Sequence, residues 1–183
     1  MSDSGNIFEP SPVVPDDRDW TFVITEGCVE CGFRPFDHKI TGDRLRATIP
    51  AWHNVLTSPN ASSRPSPSIW SAVEYGCHVR DVACLFRERL HLMLSQNNPE
   101  FYNWNQDEAA IQNDYFHQDP TLVIVELENE FNETANAFDY VRADQWRRPG
   151  RRSNGSVFTV ETFAVYFIHD IEHHVYDVSH GLG

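Results

Sequence analysis

Apolar residues recur at helical intervals over four stretches of the chain. From Asp37 to Leu56, the positions Ile40, Leu45, Ile49, Trp52 and Leu56 fall at spacings near three and four, which predicts a helix lying against a core. A second, longer helix follows a Ser- and Pro-rich loop over Asn60 to Pro67. Ser68 can cap it, and Ile69, Val73, Val82, Leu85, Leu90 and Leu94 carry its apolar face to about Gln96. Asp119 followed by Pro120 is a helix entry, and Leu122, Val125, Leu127, Phe131, Ala135, Phe138 and Val141 extend that third helix to about Ala143. Thr159 with Thr162 opens the fourth, which runs through Val160, Ala164, Phe167, Ile168, Ile171, Val175 and Val178 until Gly181 can end it.

Between these stretches the pattern changes. Residues 1–19 are rich in Pro, Ser and Asp and read as a mobile tail or a surface arm. The segment from Asn97 to Asp119 mixes Asn, Asp, Trp and Tyr without a period, and so predicts a long crossover able to act as a lid. The expected architecture is all-α: an irregular N-terminal arm over residues 1–35, then a four-helix bundle over residues 36–183. Bundles of this kind build cofactor sites from side chains on facing helices.

At 183 residues, 40% of them hydrophobic and 22% charged, the chain can bury one core without disulfides or a partner. A formal charge of −13 repels phosphate backbones and anionic lipid, which argues against a nucleic-acid partner. The basic run Arg147, Arg148, Arg151 and Arg152 is broken by Pro149 and Gly150, and predicts a solvated turn. No stretch approaches the roughly 20 apolar residues of a membrane span, and Met1 to Pro15 has no apolar signal core, so a cytoplasmic location is expected. Four unevenly placed cysteines, Cys28, Cys31, Cys77 and Cys84, fit thiols or metal ligands better than a disulfide framework.

The candidate chemistry lies in the fourth helix. His169 with His173, and Asp170 with His174, are two i, i+4 pairs, each able to offer two ligands from one face. The pairs point about 100° apart, so one ion cannot use all four residues. Asp170 and His174 flank the stripe of Val160, Phe163, Phe167, Ile171 and Val178. His169 and His173 lie farther round, among Thr162, Tyr166 and Tyr176. In the second helix His78 sits among Tyr75, Val79 and Val82, where a lone imidazole is costly to bury without a partner. His78, Asp170 and His174 make three ligands from two helices, the composition of a catalytic metal site with an open position. The donors suit zinc first, with iron, nickel or manganese as alternatives.

The run Trp70-Ser71-Ala72-Val73-Glu74-Tyr75-Gly76-Cys77-His78-Val79-Arg80-Asp81 resembles the second-helix motif of the DinB superfamily of metal-binding four-helix bundles, in which a Trp-Ser pair precedes the first ligand histidine. The register of Asp170, His174, Val175 and Val178 is similar to that family's last-helix motif. Asp170 stands where the usual middle histidine would be, as a carboxylate does in the mycothiol-dependent maleylpyruvate isomerase branch, and Asp177 resembles the acid that follows there. The resemblance spans roughly residues 36 to 180. It implies an up-down-down-up bundle, often a homodimer, a divalent metal on His78, Asp170 and His174, and a thiol cosubstrate such as mycothiol or bacillithiol.

Cys28-Val29-Glu30-Cys31-Gly32 is a CxxC turn able to grip one ion; no thioredoxin-like βαβ pattern surrounds it to favour a redox dithiol, and two unrelated thiols are the alternative. His169 and His173 remain over from the first site. A second, structural Cys2His2 zinc site of Cys28, Cys31, His169 and His173 would staple the arm to the outside of the fourth helix. The expected function is a metal-dependent enzyme that activates a thiol or water against a small electrophile: a low-molecular-weight-thiol S-transferase or isomerase first, which the resemblance alone implies, and a hydrolase second. A non-catalytic metal-binding module is the rival. Asp81, one turn after His78, is a candidate base or ligand-orienting acid, and Asp177 a carboxylate supporting His174.

Overall fold

Four long helices carry the computed structural model, which describes residue 13 and residues 18–180. Most of the expected N-terminal tail, and the helix stop at Gly181, therefore lie outside the described residues. In chain order the elements are α1 (Val23–Glu26), α2 (Thr41–Leu56), α3 (Ala72–Ser95), β1 (Glu100–Phe101), α4 (Gln106–Gln112), α5 (Pro120–Asp139), β2 (Pro149–Arg152), β3 (Val157–Thr159) and α6 (Val160–His180). No helix among the described residues is long and apolar enough to cross a membrane.

α3, α5 and α6 start where local chemistry satisfies their first N–H groups, whereas α2 continues from the short turn His38–Ile40, which Asp37 caps. Asp119 accepts from the Thr121 N–H at 2.8 Å ahead of Pro120, and Thr159 Oγ1 accepts from the Thr162 N–H at 3.3 Å while Thr162 Oγ1 accepts from the Thr159 N–H at 2.9 Å. α3 begins later than Ser68. Its cap is Ser71, which exchanges side-chain and backbone hydrogen bonds with Glu74 in a capping box. Ser68 is too far upstream to reach these groups, because residues 66–69 close a turn of their own through a bridge between Ser66 and Ile69.

Pairs of residues between helices give the topology. Arg80 meets Glu126 and Arg87 meets Glu130, so α3 and α5 run parallel. His38 and Arg44, just before and within α2, meet Glu161 and Glu172, so α2 and α6 are also parallel. His78 faces His174 while Phe86 stacks on Phe163, so α3 and α6 are antiparallel. The bundle is up-down-down-up. α2 and α3 each pack along both α5 and α6, which leaves α2 and α3 on one diagonal and α5 and α6 on the other. The stacked rings of Phe86, Phe163, Phe167 and Phe138 cross the core between them.

The parallel neighbours α3 and α5 need a long crossover, and it and the α5–α6 connection hold the structure that periodicity missed. The crossover from α3 to α5 contains β1 and α4. The expected basic turn is instead β2, parallel to β1 and antiparallel to β3 in a three-stranded sheet of order β1-β2-β3. Its arginines are employed: Arg148 donates to the carbonyls of Met93 and Gln96 at the end of α3, and Arg151 pairs with Glu100 at 3.0 Å. The described part of the arm is ordered against α6, and Val23, Cys28 and Phe33 join the core.

Candidate metal centre and its cavity

The antiparallel contact of α3 with α6 brings His78, Asp170 and His174 together. One ligand atom from each lies within 4.8 Å of the others. Asp170 Oδ1 is 3.7 Å from His78 Nε2 and 3.6 Å from His174 Nε2. Those spacings are too long for hydrogen bonds, but near the separation of about 3.3 Å between ligand atoms in a tetrahedral site with bonds of about 2.0–2.1 Å. Both ring nitrogens of His78 and Asp170 Oδ1 are buried without a hydrogen-bond partner. Orphaned buried atoms of this kind are costly. A cation at their convergence would satisfy His78 Nε2 and Asp170 Oδ1 together, so the residues fit a divalent metal.

Electrostatics prepare the same donors. Burial pushes His78 below the usual imidazole range, against the pull of Asp170, which keeps the ring in its neutral, ligating form. Burial acts to raise Asp170, but the neighbouring His78 and His174 rings bring its carboxyl down to about 2. Asp177 supports His174 from behind, with Oδ2 3.1 Å from His174 Nδ1.

The Trp-Ser motif has a physical role here. Ser71 caps α3, and Trp70 packs against His78 with ring centroids 5.4 Å apart. Trp104, from the crossover, stacks on His78 at 5.7 Å with an interplanar angle of 29°. Asn103, Asn105 and Asp107 join Trp104 in lining a cavity of about 760 Å³ that also contains Asp170, His174 and Asp177. The polar and aromatic character of this loop is visible in the sequence; its contact with His78 is not. Arg152 and Tyr166 line the cavity too; Arg152 Nε is buried without a hydrogen-bond partner.

Asp81 is placed differently from its expected role. Its carboxylate accepts from Arg80 Nε at 2.8 Å, Asn113 Nδ2 at 3.1 Å and the Tyr115 hydroxyl at 2.5 Å, and it does not line the cavity. These donors occupy its lone pairs, so it anchors the crossover to α3.

On the adjacent face of α6, Cys28, Cys31, His169 and His173 also converge, with one ligand atom from each within 4.8 Å of the others. The CxxC turn is framed by glycines with positive φ, Gly27 at 78° and Gly32 at 77°, and closed by the Cys28 N–H donating to the Phe33 carbonyl at 3.0 Å. The four cysteines are free thiols. His169 lies on the side of α6 expected to face outward, yet is only 3% exposed because the arm covers it. Trp20 packs on His169 and His173, and Phe33 meets His169 edge-on. Burial, and secondarily His173, bring His169 down to about 4, while burial raises the Cys31 thiol to about 11.

An up-down-down-up bundle with a His/Asp cluster between its second and last long helices supports the DinB-like resemblance carried by the motifs. No family model matches the chain, and no curated protein matches it in sequence. Among solved structures, it is similar to YfiT from Bacillus subtilis, described as a probable metal-dependent hydrolase with an unusual four-helix bundle topology. The TM-score is 0.66 at 16% identity, over 79% of this chain and 83% of that chain. At this identity the likeness is one of fold.

Proposed function

We propose that the chain is a metal-dependent enzyme that activates a small nucleophile for attack on a small-molecule substrate, with a divalent ion held by His78, Asp170 and His174. The observation that carries this reading is the position of the three converging ligand atoms: they stand beside a polar cavity, and among the described residues three side chains supply them. A site of that composition leaves room for an exchangeable ligand, whereas a purely structural site is closed by four. Bound there, a divalent ion supplies Lewis acidity that lowers the pKa of water or a thiol toward neutrality.

The protein's own groups account for the rest. Asp177 orients His174, and the Trp70 and Trp104 rings hold His78 and keep water from its flanks. The polar loop over residues 103–107 and Arg152 face the space a substrate would fill. Water is the nucleophile we favour, because the cavity is lined mainly by polar groups and the similar fold of YfiT is described as a probable hydrolase. Thiol transfer or isomerisation is the second reading, supported by the motif resemblance with Asp170 and Asp177 in their places.

The test is metal content of the purified protein and of His78→Ala and His174→Ala variants, followed by assays with the metal found. Loss of the same equivalent in both variants, together with metal-dependent turnover of ester or amide substrates, is expected. Turnover only with an added low-molecular-weight thiol would select the second reading. Undiminished metal in both variants would overturn the site, and bound metal with no turnover in either assay would leave the ion a fastening between helices.

A further inference from the structure

We propose that Cys28, Cys31, His169 and His173 form a four-ligand structural zinc site, distinct in its ligands from the His78, Asp170 and His174 site, that fixes the N-terminal arm on α6. It uses none of the three residues assigned to the cavity metal, so either site can fail without the other.

Four observations converge on it. The donor set is two thiols and two imidazoles, which suits zinc over the harder divalent ions. Cys28 Sγ lies 3.7 Å from His173 Nδ1, close to the roughly 3.5 Å between sulfur and nitrogen ligands of a tetrahedral zinc ion. His169 Nε2 is buried with no hydrogen-bond partner, an orphan that a two-cysteine redox pair would leave unexplained. Finally, His173 turns its other nitrogen, Nε2, toward carboxylates, 3.7 Å from Asp177 Oδ1 and 4.0 Å from Glu30 Oε2. A ligating imidazole commonly has a carboxylate on its far side.

The number of ligands distinguishes this site from the three-ligand one, although His169, His173 and Trp20 also line the cavity. Cys28 is 1% exposed, His169 is 3% exposed, and Trp20 and Phe33 cover the rings. Four protein ligands complete a tetrahedral shell and leave no coordination position for substrate. Two thiolates balance the charge of a divalent ion, so the ion can be buried as a neutral unit, and the arm is tied to residues about 140 positions away in sequence. A cross-link closing so long a loop is of the kind that most restricts the unfolded chain.

The test is cobalt substitution of the whole protein. A thiolate-to-cobalt charge-transfer band in the near ultraviolet is expected in wild type and in His78→Ala, and its loss in a Cys28→Ser, Cys31→Ser double variant, which should also bind one metal equivalent fewer. A wild-type protein loaded with cobalt but lacking that band overturns the proposal, as does unchanged metal stoichiometry in the double variant. Should the double variant fail to fold, alkylation of wild-type protein decides: Cys28 and Cys31 are expected to resist the reagent until a chelator strips the metal, while the half-buried Cys84 reacts equally either way. Equal reactivity of Cys28 and Cys31 with and without chelator overturns it.

Discussion

His174 and Asp177 form a pair one turn apart on α6, with His174 Nδ1 3.1 Å from Asp177 Oδ2. The other oxygen of the same carboxylate lies 3.7 Å from His173 Nε2. One acid therefore stands behind a histidine of each cluster, the three-ligand one and the four-ligand one under the arm. Asp177→Asn keeps the shape but loses the charge that favours a protonated Nδ1 and a ligating Nε2 on His174. We expect metal affinity at the cavity site to fall about 10- to 100-fold, measured by competition with a chromogenic chelator. Unchanged affinity would reduce Asp177 to an ordinary surface acid.

The two clusters also make the metal-free protein sensitive to acid. His169 has a folded-state pKa of about 4 against an ordinary 6.5, because burial disfavours its charged form. Between those values the unfolded chain binds the proton and the folded chain does not. Its contribution is thus complete above pH 6.5, and acidification through that window removes up to about 3 kcal/mol. Asp170, lowered from 3.8 to about 2, continues the trend: its contribution is present above pH 3.8 and is lost as pH falls through 2. Thermal melts of chelator-treated protein should show a falling Tm from pH 7 to pH 4.5. A flat or rising Tm would contradict the burial of a neutral His169.

The long helices were legible because each turns a sustained apolar stripe toward the core, and the ligand pairs because i, i+4 spacing on α6 is geometry that sequence alone specifies. Other features depend on contacts between distant residues. The strands are two to four residues long, too short for alternation to announce them, and β1 pairs with β2 across some fifty positions, Glu100 with Arg151. Trp104 offered no periodic signal, and only the fold lays it on His78. Asp177 follows His174 by three residues and His173 by four, so both contacts are helix geometry; that the two rings belong to different clusters depends on the arm. Asp81 shows the converse. Its position one turn from His78 is real, yet Arg80, Asn113 and Tyr115 claim its carboxylate.

Glu74 shows a buried charge used for architecture. It is 1% exposed, closes the capping box with Ser71, and accepts a bidentate pair from Arg64, which also donates to the Pro67 carbonyl. Removing one partner of a buried pair strands the other charge, which typically costs about 3–5 kcal/mol. Glu74→Ala should therefore lower stability by that order in denaturant unfolding. It also releases the 60–67 loop and Trp70 beside His78. A loss below about 1 kcal/mol, the range of exposed pairs, would mean that Arg64 finds water when Glu74 is gone.

Arg44 joins three parts of the molecule at once. From α2 it forms a bidentate pair with Glu172 on α6, at 2.7 and 2.6 Å, and its guanidinium lies over Phe36, just past the arm, and Phe33 of the arm, at 4.3 and 5.0 Å. Phe33 in turn meets His169 edge-on at 5.2 Å, so the guanidinium backs the ring that covers the Cys2His2 cluster. Lysine keeps the charge but has neither the planar fork nor the stacking face. Arg44→Lys is expected to lose one hydrogen bond and most of the cation–π attraction, about 1–3 kcal/mol together. The loss should fall first on the arm. Limited proteolysis should then cut between residues 18 and 37 faster in the variant, before the bundle unfolds. If instead the whole chain is digested at one accelerated rate, the arm and bundle unfold as a single unit, and Arg44 stabilises both rather than pinning one to the other.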